Sequence, residues 1–569
     1  MSRDPQAERE RLIAIQRVAQ GGDLPRAIEL AEAALAAGLE HPLIFNVLAL
    51  RHEQAGELAA AEGLLRRAVA LDPADKTARN ALGLCLLRLE RYAEALEQFD
   101  ALVEADAMPS FVQASRGTAL FALARVREAQ AAFQRAVQQD PQQPVALAGL
   151  ARIASYRGAY RQARQWAEGA LARLPGYPDA ELSLAAADLG EQDPLSAESS
   201  LRALLARTDL NPEQRAFAGA LLGDALDAQG RMADAFAAYT DSNEVQRVAF
   251  APRFASANPT ARQYAEQLAE YLRGTEPARW RAAPLAAAAT PAAGHIFVLG
   301  FLRSGTSLLE VILEGHPQVV SVEESESLID SVQQFMQQPQ DLQRLEHAPQ
   351  ARLNALRDAY WRRVAQTGAD VTGKIFVDKN PLNTLKLPLI AWLFPQAKIL
   401  FACRDPRDIV LSCFRHRFRM SAPIYELLTL DGAARYYDAV MRVFMECTRL
   451  LPLEFCLVRH EDVVSGFTRE MRRVCDFLGL AWDPAMGDFA LRTREREALT
   501  PSTAQLAKGL NTEGVGHWRR YREQLEAARE ILAPWERQFY YEEAGASGKL
   551  NQQLNATVIR SPAPSNGVT

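Results

Sequence analysis

The sequence predicts an α + α/β chain: an α-helical solenoid of repeats, then a P-loop-like, three-layer α/β domain with a mostly parallel sheet. Three observations predict it. Small and large apolar residues recur at a fixed period of 34 through the first part of the chain. The apolar run Ile296–Leu299 meets a glycine loop and then helix-spaced apolar residues from Leu308 to Leu313. Beyond it, short apolar runs alternate with helical patterns, the order that makes a covered parallel sheet.

Leu58, Tyr92, Val126 and Tyr160 stand 34 residues apart, and Ala61, Ala95, Ala129 and Ala163 follow them by three. Leu65, Phe99, Phe133 and Ala167 continue the register, then Val69, Val103, Val137 and Leu171. One period back stand Leu24, Ala27, Ala31 and Leu35; one forward stand Pro194, Ala197, Leu201 and Leu205. Gly83 and Gly117 share an earlier position, and Pro73, Pro141 and Pro175 close their units. Small residues let paired helices approach, and large ones fill the gaps. The period and pattern resemble the tetratricopeptide repeat, whose solenoids offer a concave surface to extended peptides or partner helices. Leu86 stands where an aromatic is usual, Ala107 replaces a closing Pro, and a unit around Gly230 falls four residues out of phase. The expected division is a solenoid over 1–245, a helical connection and Ala/Pro linker over 246–292, the α/β domain over 293–544 and a disordered polar tail over 545–569.

Composition limits the partners. A net charge of −6 and a pI near 5.9 give no global attraction to nucleic acid or to an anionic membrane. The charged first residues lack an apolar leader core, and no apolar run approaches the ~20 residues of a membrane span. The six cysteines form no C-x-x-C pair and sit in apolar segments, as reduced core residues do. These features predict a cytoplasmic protein with no nucleic-acid partner, no membrane partner and no metal.

The loop Gly300 to Ser307 contains Arg303, Ser304, Gly305 and Thr306. Between a strand and a helix N-terminus it makes an anion site. Its Gly-x4-Gly spacing matches a phosphate-binding loop, but Thr306 stands where the nucleotide-binding Lys belongs, which opposes an ordinary NTPase. Further strands are expected at Val319–Val322, Lys374–Val377, Lys398–Cys403 and Glu454–Val458, with helices at Pro349–Gln366, Leu385–Leu393 and Gly432–Leu451. Their carboxyl ends, the ligand side of such a sheet, carry Glu323, Glu324, Asp378, Lys379, Arg404, Asp405 and the run Arg459 to Asp462. Arg404 at a strand end and Ser412 two helical turns later can grip one phosphate from two sides. Asp405 and Asp408 read as helix N-terminal charges, Arg415, Arg417 and Arg419 as an exposed basic face, and Phe414 and Phe418 as core. Two anion sites, no NTPase Lys and no recognisable Mg²⁺ carboxylate point to a nucleotide with two separated phosphates.

On these motifs residues 293–540 resemble the sulfotransferase family, and with the repeats the whole is similar to bacterial tetratricopeptide-repeat sulfotransferases. The resemblance implies 3′-phosphoadenylyl sulfate (PAPS) as donor, its 5′-phosphosulfate held by Arg303, Ser304, Gly305, Thr306 and Ser307, and its 3′-phosphate by Arg404 and Ser412. It implies His460 and Arg519 near the nucleotide. A His shortly after Lys379, used by small-molecule cytosolic members, is missing, whereas His316, Pro317 and Val319 followed by Glu323 and Glu324 resemble the tyrosylprotein branch. That branch implies Glu324 as base, Lys379 beside the sulfuryl group, and a peptide or protein acceptor (tyrosine) met through the repeat groove. Glu326, His416, His460 and Gly516 depart from its pattern, at places where it has Arg, Arg, Tyr and, in some members, Ser. A glycan or other small hydroxyl acceptor, a kinase on the same loop, and a repeat scaffold that binds nucleotide without turnover are the alternatives. A homodimer is compatible with all of them.

Overall fold

A computed structural model describes residues 5–103, 109–281, 290–495, 502–541 and 558–559. The chain divides into two compact units, one ending at Ala187 and the other beginning at Asp188.

The first unit is a stack of helices: α1 (Pro5–Gln20), α2 (Leu24–Ala36), α3 (Pro42–Gln54), α4 (Leu58–Leu71), α5 (Lys76–Arg88), α6 (Tyr92–Val103), α7 (Ser110–Ala122), α8 (Val126–Gln139), α9 (Pro144–Tyr156), α10 (Tyr160–Arg173) and most of α11 (Pro178–Gly190). Local chemistry starts several of them. Asp23 caps α2 by accepting from the Arg26 N–H, and Asp75 caps α5 by accepting from those of Thr77 and Ala78. The alanines of the 34-residue register, Ala27, Ala61, Ala95, Ala129 and Ala163, are all completely buried at 0% exposure. Large residues then fill the gaps. A Cβ on Gly83 would stand 2.6 Å from the Phe99 ring, and one on Gly117 would stand 2.6 Å from that of Phe133. Phe99 and Phe133 thus each need the glycine of the helix before them.

In the second unit α12 (Pro194–Leu205), α13 (Pro212–Ala228), α14 (Met232–Phe254), α15 (Ala261–Arg273) and α16 (Pro277–Arg281) precede the sheet. Capping boxes start α13 (Asn211 with Gln214) and α15 (Thr260 with Gln263). α13 begins one period after α11 but has 17 residues against 13, and this added turn sets α14 and the unit around Gly230 out of phase. The α/β elements follow as β1 (Gly294–Gly300), α17 (Thr306–Leu313), β2 (Val319–Glu323), α18 (Ile329–Phe335), α19 (Gln343–Glu346), α20 (Gln350–Gln366), β3 (Ile375–Lys379), α21 (Leu387–Leu393), β4 (Lys398–Cys403), α22 (Pro406–Arg415), α23 (Ala422–Glu426), α24 (Leu430–Leu450), β5 (Glu454–Arg459), α25 (His460–Ser465) and α26 (Phe467–Leu478).

Helices from both sides of the Ala/Pro stretch share one body. The Asn243 amide donates to Phe414 O at 2.9 Å, the rings of Phe236 and Phe414 stack 5.0 Å apart, and the Arg417 guanidinium lies 3.5 Å over Phe217. These contacts explain why the unit around the sheet begins at Asp188, well ahead of the linker. Linker residues 282–289 lie outside the described residues.

The sheet order is β2-β3-β1-β4-β5, all parallel. A two-residue strand, β6 (Val558–Ile559), pairs antiparallel with β5, and the rest of the tail expected to be disordered lies outside the described residues. Chain order reverses at β1: the next strands go to one side and the later ones to the other, which opens a crevice at the carboxyl ends. Ile296, Val298, Val311, Ile312, Val377, Leu400 and Val458 form the core beneath that crevice. All six cysteines are buried free thiols, and no helix among the described residues is long and apolar enough to cross a membrane.

Gly117→Ala is expected to lower the stability of the repeat unit by about 1–3 kcal/mol, the usual cost of overfilling a packed site. Urea unfolding followed by circular dichroism measures it, and an unchanged transition would mean that the Phe133 ring moves aside freely.

Candidate functional site

The crevice is built on a close approach. Gly300 ends β1 with φ 157°, and a Cβ there would lie 2.6 Å from Ser304 Oγ and 2.7 Å from Ala402 O, so no larger residue fits beside β4. Thr384 clips the same residue: its Oγ1 accepts from Gly300 N–H at 3.2 Å and lies 2.8 Å from Gly300 O. Arg303 (φ 65°) and Gly305 (φ 104°) then turn the loop into α17. The bond from Leu309 N–H to Gly305 O (3.1 Å) opens the helix, and its N-cap, Gly305, has no side chain to cap the first N–H groups. Those donors, with the helix dipole behind them, suit an anion. Ser304 is buried and donates to Phe301 O at 2.7 Å, a loop-shaping bond. A Cβ on Gly305 would come 3.1 Å from His460 Nδ1, a buried nitrogen without a partner among the described residues. Burial first, then Arg404 and Arg303, pull the His460 pKa down to about 3, so its ring is neutral.

Two arginines converge on the far side of the loop. The Arg303 guanidinium reaches α22, where Nε donates to Ser412 Oγ at 3.0 Å and Nη2 faces His416 Nε2 at 3.3 Å. It also donates to Ser502 Oγ (2.5 Å) and Gln505 Oε1 (3.0 Å). His416 Nδ1 donates to Ser412 O at 2.8 Å, which leaves its Nε2 as the acceptor for Arg303. Burial, then the charge of Arg404, lower the Arg303 pKa to about 10, so it remains a cation. Arg404 donates to the carbonyls of Arg303 (3.2 Å) and Gly514, and its Nε is buried without a partner among the described residues. Hydroxyls, an amide, an imidazole and carbonyls thus face two neighbouring cations. An anion placed there would relieve their repulsion and supply the missing acceptor.

The acids of α22 do more than complement its dipole. Asp405 caps the helix through Arg407 N–H (3.0 Å) and pairs with the Arg407 guanidinium (2.8 Å). Asp408 instead accepts from the backbone of Gly516 (2.6 Å) and Trp518 (2.8 Å) and ties down the segment that covers Arg404. The exposed basic face expected at residues 415–419 also needs correction. Arg415 is buried at 14% side-chain exposure and pairs with Asp227 at 3.0 Å, and Arg417 lies on Phe217; only Arg419 is exposed.

On the other side of β1 lies a different charge group. Lys379, at the end of β3, has 0% exposure, with its Nζ 2.9 Å from Glu324 Oε1 and 3.5 Å from Glu310 Oε2. Glu310 sits fully buried in the middle of α17 and accepts from Ser321 Oγ at 3.0 Å. Glu324 leaves β2 with φ 45°, its N–H donates to Lys379 O at 2.7 Å, and its side chain is 54% exposed. A half-open carboxylate therefore stands over a buried ammonium, which is not a solvated surface ion pair. The side chain of Glu323 lies outside the described residues. Beneath the pair, Asp378 accepts from Tyr360 OH (2.7 Å) and Asn383 (3.3 Å), and burial raises its pKa to about 7. His295 Nε2 completes that line, 2.8 Å from Tyr360 OH, with burial lowering its pKa to about 3.

Residues 295–484 match the sulfotransferase family, and residues 15–75, 46–107 and 115–178 match the tetratricopeptide repeat. The chain carries tetratricopeptide repeats and a sulfotransferase-family domain. That domain is distantly related to protein-tyrosine sulfotransferases. It is 25% identical over 240 residues to protein-tyrosine sulfotransferase 1 of Danio rerio, and 24% identical over 237 residues to protein-tyrosine sulfotransferase A of Caenorhabditis elegans. Each match covers 39% of this chain, with 65% and 60% of the relative. An uncharacterized protein of Aquifex aeolicus is 26% identical over 249 residues, covering 42% of this chain and 32% of its own length. The chain thus spans between about one third and two thirds of these curated relatives. A solved tetratricopeptide repeat protein from Parabacteroides merdae aligns with 17% identity and a TM-score of 0.33, covering 42% of this chain and 93% of its own.

Within the sulfotransferase domain, the expected residues fall into two groups. Ser304, Gly305, Thr306, Ser307, Arg303, Arg404, Ser412 and His460 line the β1–β4–β5 side, whereas Glu324 and Lys379 stand at the ends of β2 and β3. Arg303 belongs by contact with Ser412 rather than with its own loop. Arg519 is exposed, its guanidinium 5.2 Å from the Trp518 ring centroid. Sequence reasoning missed Glu310, although a lone Glu inside the apolar run Leu308–Leu313 is a usable signal. It also missed Thr384, Ser502 and Gln505, which carry no local pattern.

The folded pKa of Asp378, about 7, lies above the unfolded value of about 3.9, so its stabilisation is complete below about pH 4 and lost as pH rises through 7. Asp378→Asn should therefore gain stability relative to wild type between pH 4 and 7, by at most on the order of 4 kcal/mol. Parallel denaturation curves at those pH values measure the difference; two curves that run parallel would show that the carboxyl does not titrate there.

Proposed function

We propose that the protein transfers a sulfuryl group from 3′-phosphoadenylyl sulfate to a hydroxyl of a peptide or protein acceptor. One observation carries the reading. The carboxyl ends of one parallel sheet carry two arginines with no salt bridge to a carboxylate among the described residues on one side of β1, and a carboxylate over a buried lysine on the other. The arginines and the α17 N-terminus suit a donor with two separated phosphate positions. Arg404 Nε and His460 Nδ1, buried and unpartnered among the described residues, fit such a polar ligand.

Glu324 accepts the acceptor's O–H proton, which matters because a phenol has a pKa of about 10 and an alcohol is a weaker acid still. The acceptor oxygen forms its bond to sulfur while the bond from sulfur to the phosphate oxygen breaks, releasing adenosine 3′,5′-bisphosphate. Lys379 offsets negative charge on the sulfuryl oxygens and the departing phosphate, and its burial strengthens that interaction.

A peptide acceptor is supported by the names of the relatives and by the repeats. Asn46 and Asn80 stand one period apart on α3 and α5, with buried amide oxygens that have no partner among the described residues. One turn further, Leu50 and Leu84 are 42% and 38% exposed. Side-chain amides beside exposed leucines suit an extended backbone with apolar side chains.

Incubation with sulfur-labelled donor and a protein extract is expected to label protein hydroxyls. With that assay, Glu324→Gln should reduce turnover about 10²-fold or more while binding of adenosine 3′,5′-bisphosphate is kept. Lys379→Ala should reduce it comparably. Near wild-type transfer by Glu324→Gln at saturating donor would remove Glu324 from the mechanism. The bisphosphate should also bind roughly tenfold or more tightly than AMP, since the second phosphate makes charge-assisted bonds worth about 1.5–3 kcal/mol. Equal affinities by calorimetry would overturn the two-phosphate reading.

A further inference from the structure

The proposed 3′-phosphate residues adjoin a cluster in which α13 and α14 meet the end of α22 and the segment 517–521. Asp227, in the last turn of α13, is its centre. Tyr521 OH donates to Oδ1 at 2.7 Å, and Arg415 Nη2 donates to Oδ2 at 3.0 Å. His517 Nε2 lies 3.5 Å from Oδ2, Arg520 Nη1 lies 3.4 Å from Oδ1, and Arg520 Nη2 donates to the Asp227 carbonyl at 2.8 Å. Asp224, one turn earlier, accepts from Tyr239 OH at 2.7 Å and faces Arg415 at 3.4 Å. Tyr239 and Tyr521 are almost completely buried, and Arg415 also contacts His517. Burial alone would favour a protonated Asp227, but the hydrogen bond from His517, the charge of Arg415 and the bond from Tyr521 outweigh it and hold the carboxyl well below its usual range.

Both elements held by Asp227 lead to the crevice. Arg415 ends α22, one turn beyond Ser412, which receives the Arg303 guanidinium. His517 and Tyr521 continue the segment whose Gly514 carbonyl takes Arg404 and whose Gly516 and Trp518 N–H groups are held by Asp408. One carboxylate therefore fixes two strips of chain that are far apart in sequence and that flank the same pair of arginines. Of the cluster only Arg415 lies inside the family match at 295–484; its centre, Asp227, stands on α13, a helix that the 34-residue pattern groups with the repeats.

We propose that Asp227 is a positioning residue for the 3′-phosphate half of the donor site, so that α13 and α14 belong to the catalytic body rather than to acceptor selection alone. The inference rests on the two-phosphate reading of the crevice. Without the Asp227 charge, Arg415 and the 514–521 segment lose their common anchor, and Ser412 and Arg404 lose their mutual placement. Among the described residues no hydrogen bond or ion pair joins the α17 N-terminus to this cluster, so its geometry is expected to persist.

The test is calorimetric titration of the full chain with adenosine 3′,5′-bisphosphate and with AMP, for wild type and Asp227→Asn. The expected result is a tenfold or greater loss of bisphosphate affinity with AMP affinity within twofold, so that the ratio collapses. A wild-type chain that does not distinguish the ligands overturns the two-phosphate reading and this proposal with it. A wild type that distinguishes them, beside an Asp227→Asn chain with the same ratio, overturns the positioning role alone. Equal losses for both ligands mark general damage and also overturn it. Tyr521→Phe removes one donor to Asp227 and keeps every charge, so it carries the test if Asp227→Asn does not fold: a two- to fivefold fall in the ratio is expected, and an unchanged ratio overturns the proposal.

Discussion

A lysine ammonium taken completely out of water is the constraint on which the site depends. Lys379 at 0% exposure is tolerable only with anionic partners, because an unpaired buried charge costs several kcal/mol. Glu310 and Glu324 meet that need from two different elements. Glu310 comes from the middle of α17, the helix whose N-terminus forms the anion loop, and Glu324 comes from the end of β2. The ammonium therefore ties the loop helix, β2 and β3 into one arrangement, and it holds the carboxylate of Glu324 where one edge is open to solvent. Ser321 and the Tyr360–Asp378 line brace the same corner.

The opposite side of β1 holds two cations that no salt bridge neutralises among the described residues, although the charge of Arg404 reaches the carboxylates of Asp408 and Glu461. Arg303 and Arg404 repel each other, and their hydrogen-bond partners are neutral groups. Structural ion pairs elsewhere in the same unit look different: Arg415 has Asp227, and Arg407 has Asp405 and Glu536. Arginines that pair with no carboxylate among the described residues, beside others that do, have donors to spare for an anion. Strand order separates the two charge groups: the cationic pair stands beyond β1 and β4, the acid and its lysine beyond β2 and β3.

Much of this was legible in the chain. The alanine register needs only a period, since each fully buried alanine occupies the same place in an identical local unit. Gly83 and Gly117 were visible as a repeated position, and the Phe99 and Phe133 rings explain them. The strand, loop and helix from Gly294 to Leu313 were legible because backbone geometry there is dictated by nearest neighbours: Gly300 by the approach of Ala402, Gly305 by its positive φ. Arg415 misled because a spacing of two along Arg415, Arg417 and Arg419 resembles a solvated face, whereas burial is set by α13 and α14, nearly two hundred residues away.

The amino-acid sequence by itself determined the local periods, the caps, the phosphate-loop geometry and the set of charged residues at strand ends, all of which arise within one or two turns of chain. Tertiary structure alone decided which of those charges meet. Arg303 finds Ser412 across 109 positions, Lys379 finds Glu324 across 55, and Tyr521 finds Asp227 across 294. The physical reason is range. Hydrogen bonds and apolar spacing act on neighbours and leave a pattern, while the partner of a buried charge is chosen by the packing of the whole body, and a single Glu or Asp in a helix carries no mark of the arginine or lysine it will neutralise.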